Sequence, residues 1–157
     1  MAVDLLTPMM YTILNAVTEQ LQEEPPGRVI LAPGANVTHD DCCEGQVWVR
    51  VQRIDPMTGR TPATTAPCGI LGWVATLGVG IVRCAAVLDD QGNAPTPEAV
   101  TVDTVGMNED AAALVQGILC SGVVRSVEQW MPSGPMGGCV GGEWTCTVRY
   151  DVCRCEE

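Results

Sequence analysis

Lysine and phenylalanine are missing from this 157-residue chain, and histidine occurs once, as His39. The eight basic residues are all arginines, scattered against nineteen acids, for a formal charge of -11. Holding nucleic acid takes clustered Arg or Lys to displace phosphate counterions, so a general nucleic-acid binder is excluded. The same acidic surface repels DNA, a property suited to something DNA slides past without sticking. No G-x-S-x-G, glycine-rich phosphate loop, H-E-x-x-H or Walker sequence is present. His39, with Asp40 and Asp41 beside it, is the one place for a Cys/His nucleophile pair, and a lone loop histidine is more often plain surface. Enzymatic activity and a cofactor are therefore not expected.

Targeting signals are missing too. MAVDLLTPMM has no basic n-region and is interrupted by Asp4, Thr7 and Pro8, so it does not read as a signal peptide. The most apolar run, CGILGWVATLGVGIV over 68–82, carries four glycines and is too short to span a bilayer as a helix. The expectation is a soluble chain made in a cytoplasm, with no membrane partner.

What remains describes one globular domain, 1–157. The length sits near the commonest domain size, and 46% hydrophobic against 17% charged residues is a folding balance. From Leu6 the apolar positions Met9, Met10, Ile13, Leu14, Val17 and Leu21 mark one helical face, predicting a helix over about 6–24. Either Thr7 caps it, with Pro8 in the first turn, or Asp4 starts it earlier. A methionine stripe of this kind can be a partner surface, but core packing is the plainer reading. RVILAP predicts a short strand. QVWVRVQRI alternates, with Val47, Val49 and Val51 on one face and Trp48, Arg50 and Gln52 on the other. A Pro-, Thr- and Gly-rich stretch over about 55–72 reads as a long loop ordered by a partner. WVATLGVGIVRC reads as a central strand buried on both faces, its glycines letting a helix approach. DDQGN reads as a turn. TPEAVTVDTVGMNEDAAALVQGILC reads as a kinked helix or two short ones, weakened by Val100, Val102, Val105 and Gly106. VVRSVEQWM and GEWTCTVRYDVCRC form a closing hairpin over about 123–155, joined by a tip of about ten residues. The predicted fold is α+β: a mixed, mostly antiparallel sheet of about five strands packed against the N-terminal helix and a second helical segment.

Nine cysteines allow a metal site, disulfides or plain core packing. Cys139, Cys146, Cys153 and Cys155 are spaced C-x6-C-x6-C-x-C, without the paired C-x2-C knuckles of zinc ribbons. Period two puts Cys146 toward the core and Cys153 and Cys155 on the other face. A metal set from His39, Cys42, Cys43, Cys153 and Cys155 needs a tertiary contact that spacing does not supply, so no metal is assigned. Bridges joining Cys42 or Cys43 to a C-terminal cysteine are the stronger alternative if the protein ends up outside a cell. Cys84 and Cys120 read as small core residues. Trp73 reads as core, whereas Trp48 and Trp130 sit where alternation allows exposure, and exposed tryptophan marks interfaces. Met131, Pro132, Pro135 and Met136 extend that reading to the hairpin tip.

LGVGIVRCAAVLDDQGNAPTPEAV, the helix ending GILC, and WMPSGPMGGCVGGEWTCTVRYDV resemble the neck, or head-to-tail connector, proteins of long-tailed bacteriophages infecting actinobacteria. The element order is similar to that of the tail terminator, a small protein whose hexameric ring caps the tail tube and docks to the head connector. The likeness covers most of the chain from about residue 40 and rests on glycines, cysteines and tryptophans. It implies a ring-forming virion protein, assembled in the host cytoplasm and located in the tail neck. Its partners would be copies of itself, the adjoining connector or stopper and the tail tube, with DNA passing through the lumen unbound. It also implies that the 55–72 loop, with Thr58 and Arg60, and the 132–142 tip, with Met136 and Cys139, reach neighbouring subunits or the adjoining ring. The alternatives are another connector ring such as the head-completion stopper, a disulfide- or metal-stabilised binding module, and a thiol enzyme.

Overall fold

Asp4 starts the first helix: its Oδ1 accepts from the backbone N–H groups of Leu6 and Thr7, both at 3.0 Å. Of the two starts open in the sequence, this is the earlier one, because the carboxylate satisfies two amides that a helix leaves unpaired. In the computed structural model, which describes residues 4–38, 41–58 and 70–151, helix α1 runs Leu6–Gln20. It therefore stops short of Pro25. Leu6, Met10, Ile13, Leu14 and Val17 are buried along its inner face, so the stripe is core.

Five strands follow as one mixed sheet: β1 (Arg28–Ala32), β2 (Gln46–Thr58), β3 (Ile70–Cys84), β4 (Val124–Met136) and β5 (Cys139–Tyr150), with helix α2 (Pro97–Cys120) between β3 and β4. The spatial order is β1-β2-β3-β5-β4. β1 lies parallel to β2, and every other pairing is antiparallel. This is the α+β class that the periodicities predict, with β3 at the centre.

Strand ends differ from the sequence reading. β2 continues through Pro56 to Thr58, pairing Asp55 with Val74 and Pro56 with Trp73, so the two ends of the expected loop, 55–58 and 70–72, are paired strand, while 59–69 lie outside the described residues. β1 covers only Gln46 to Arg50 of β2, which leaves the rest of β2 an edge, where a residue lacking an N–H is tolerated. Likewise β4 carries Pro132 and Pro135 on the outer edge of the sheet, and the expected ten-residue tip is instead a two-residue turn, Gly137 and Gly138, both at positive φ.

α2 is one continuous helix of 24 residues, not two. Thr96 caps it by accepting from Ala99 N–H, and Pro97 occupies its first turn. The residues that weaken it cost fractions of a kcal/mol each, up to about 1 kcal/mol for glycine, and no proline interrupts the ladder. Only its second half packs: Ala111, Leu114, Gly117 and Ile118 are buried, while Val100, Val102 and Val105 are exposed.

Both helices lie on one face of the sheet. There Ile13, Leu14 and Val17 meet Val47, Val49, Leu77, Val79, Ile81, Leu114, Ile118, Cys146 and Val148 in the main core. The glycines of β3 serve the opposite face, and what approaches them is not a helix. A methyl group at Gly80 would overlap the Trp48 indole, and one at Gly78 would overlap the Glu143 carboxylate. Trp48 packs there with Ala32, Cys42 and Val82 and keeps 8% of its surface exposed. The exposure predicted for it is thus corrected: alternation puts it on the face away from the helices, and a second, smaller core covers it.

Candidate functional site

The register of β3 against β5 sets Cys84 directly opposite Cys139 at one corner of the sheet. Just before β2, Asp41 accepts from Cys43 N–H and starts a single 3₁₀ turn over Cys42–Glu44, which Gly45 ends at a φ of 75°. That turn lays two consecutive cysteines over the strand pair. Cys42 is bonded to Cys139 (S–S 1.98 Å) and Cys43 to Cys84 (2.01 Å). The first bridge is largely buried and the second exposed.

Two sequence expectations change here. Cys42 and Cys43 do form bridges, but to Cys139 and Cys84, because strand register gathers those four at one corner. Cys139 is thus held in an intrachain bridge, and Cys84 is not a simple core residue. Cys153 and Cys155 follow the far end of β5 and, like His39, lie outside the described residues, as does Arg60. With both bridges closed, no group of three or more His, Cys, Asp or Glu side chains among the described residues is arranged to hold a metal ion.

Next to this clasp sits a polar cluster that alternation did not predict. The Glu143 carboxylate receives Trp48 Nε1 (2.7 Å) and Arg50 Nε (2.7 Å) on one oxygen, and Arg50 Nη2 (2.6 Å) and Gln52 Nε2 (2.8 Å) on the other. Arg50 and Glu143 side chains keep 16% and 13% of their surface. Burial alone would push the Glu143 carboxyl up, but hydrogen bonds from Arg50 and Trp48, the Arg50 charge and Gln52 outweigh it and hold the group below its ordinary value. All the donors come from β2 at two-residue spacing, so the outward face of one strand is tied to β5 across β3. The arrangement fully satisfies a buried charge and leaves no lone pair aimed at a substrate.

A third polar element stands at the same end of the sheet. Arg83 donates from Nε and Nη2 to Asp110 of α2 at 2.6 and 2.9 Å, and from Nη2 to Glu24 O at 2.8 Å. Burial would lower the Arg83 pKa, but the Asp110 bond and charge, with Glu24, raise it above its usual value. The guanidinium thus pins the chain after α1 and the middle of α2 to the end of β3.

Of the residues expected at interfaces, Trp130, Met131 and Met136 fall on β4, Cys139 begins β5 and Thr58 ends β2. Met131 and Met136 are 55% and 71% exposed. Trp130 is half-buried: its ring lies over Gly142, 5.8 Å between centroids from Trp144, whose Nε1 donates to Ala111 O at 2.8 Å. Thr58 ends β2, paired with Ile70. Cys146 is buried as alternation requires, and burial, then Glu128 and Glu143, push its thiol up to about 12. Cys120 is exposed. No helix among the described residues is long and apolar enough to cross a membrane. Compared with protein-family models and with curated proteins, the chain matches none.

Proposed function

We propose that the chain is a structural virion protein of the phage neck, a tail terminator whose copies close into a hexameric ring that caps the tail tube and joins it to the head connector. The observation that carries this reading is β4. It is thirteen residues long, lies at the outer edge of the sheet, and ends in exposed Met131 and Met136. A strand edge offers a row of unpaired N–H and C=O groups that a neighbouring subunit can cover. The acidic balance suits a lumen that DNA traverses without binding.

Size-exclusion chromatography with light scattering and negative-stain microscopy tests it. Closed rings, formed alone or on added tail tubes, are the expected product. A chain that stays monomeric in the presence of tail tubes contradicts the proposal. The four-cysteine corner favours a second reading, a binding module fastened by its cysteines, and a monomer with a defined ligand would support that instead.

A further inference from the structure

Cys42, Cys43, Cys84 and Cys139 belong to three separate elements yet occupy one corner. Cys42 and Cys43 are consecutive in a single turn. Cys84 and Cys139 are direct partners across antiparallel strands, so their side chains leave the same face. The Cα atoms of the bonded pairs are 5.7 and 4.2 Å apart. Strand register and the turn therefore bring both bridges, four sulfurs in all, to one corner of the sheet.

We propose that, with both bridges open, these four cysteines form a tetrahedral thiolate site for a divalent cation of the zinc class, so that disulfides and metal are alternative fastenings of one corner. Zinc takes four thiolates at about 2.3 Å, which places the sulfurs about 3.8 Å apart, a separation that opened bridges on adjoining backbone can reach by side-chain rotation. The balance is simple. A dithiol reductant gives each S–S bond two electrons and two protons and closes to its own disulfide. Four thiols result, and the cation displaces their four protons to solvent as four metal–sulfur bonds form.

Three features serve such a site. An open pocket of about 450 Å³, with Cys43, Cys84 and Arg83 in its wall, gives reductant and metal a route to the exposed bridge. The Arg83 guanidinium lies beside the turn, about 3.4 Å from where a side-chain carbon on Gly45 would stand, and, held by Asp110 and Glu24 O, it fixes the pocket wall next to the sulfurs. Gly45 N–H donates to Cys42 O at 2.9 Å, a bond that closes the turn without using the sulfurs. A chain fastened both ways keeps its corner in a reducing interior and in an oxidising medium.

The test uses the full chain, reduced with a metal-compatible phosphine and titrated with Co²⁺. One Co²⁺ per chain, with thiolate-to-cobalt charge-transfer and tetrahedral ligand-field bands displaced by Zn²⁺, is the expected result. Re-oxidation should abolish the bands, and so should Cys84→Ser or Cys139→Ser. Cys120→Ser should leave them intact, as should a variant combining His39→Ala, Cys68→Ser, Cys153→Ser and Cys155→Ser. No uptake by the reduced wild type overturns the proposal, as does loss of the bands in that combined variant. Where a serine variant fails to fold, zinc-edge X-ray absorption on the reduced wild type decides: four sulfur neighbours uphold the site, and a shell containing nitrogen or oxygen refutes it. Either outcome leaves ring formation to be judged separately.

Discussion

Glu143 is the residue whose role was least visible beforehand. Alternation placed Trp48, Arg50 and Gln52 on one face, but nothing in the spacing says that a glutamate more than ninety residues later accepts from all three, since that depends on two strand registers. Removing it strands a mostly buried guanidinium, so Glu143→Ala should cost about 3 kcal/mol, read as a lower urea midpoint. Because the folded carboxyl titrates below its unfolded value of about 4.3, its contribution is present above that pH and fades as pH falls through the folded value. The stability gap between wild type and Glu143→Gln should therefore be widest near neutral pH and narrow in acid. A gap that does not change with pH would remove the charge from the explanation. Cysteine reactivity should follow burial. Native alkylation followed by peptide mapping should modify exposed Cys120, while Cys146, buried and held as a thiol, should react only after unfolding.

Among the elements, the inner face of α1, the alternation of β2, the central place of β3 and the Thr96–Pro97 start of α2 were all legible, because each follows from a local period or cap. Strand ends were not. Pro56, Pro132 and Pro135 look like breakers in one dimension, and only the neighbouring strands reveal that they lie on edge stretches where proline is allowed. The continuous α2 was obscured in the same way, since local propensity marks weak residues but not whether the helix breaks. Helix packing supplies a sharper test. A methyl group at Gly117 would meet the backbone of Ala16 and Val17 in α1. Alanine gains about 1 kcal/mol of helix propensity there, but overpacking against backbone costs about 1–3 kcal/mol. Gly117→Ala should thus lower the melting temperature, whereas Gly106→Ala, which meets open space in the same helix, should raise it. Equal effects at the two sites would contradict the packing described.

For the molecule as a whole, the cysteine pairing was the part beyond reach of spacing. The two bridges close loops with separations of 97 and 41 residues, and which sulfurs meet is set by a strand register and a turn, not by distance along the chain. Opening both in the presence of a chelator should cost about 4 kcal/mol, a loss that denaturant titration reads directly. The proposed assembly rests on the exposed edge of β4. Met131→Lys puts a charge on an exposed side chain of β4, so it should leave monomer stability within about 0.5 kcal/mol of wild type while blocking closure of the proposed ring. The most direct measurement is cryo-electron microscopy of the protein bound to tail tubes. The proposed ring should appear closed, with the β4 edge and Met131 of each subunit against the next. A map in which that edge faces solvent, or in which single copies bind without closing a ring, would contradict it.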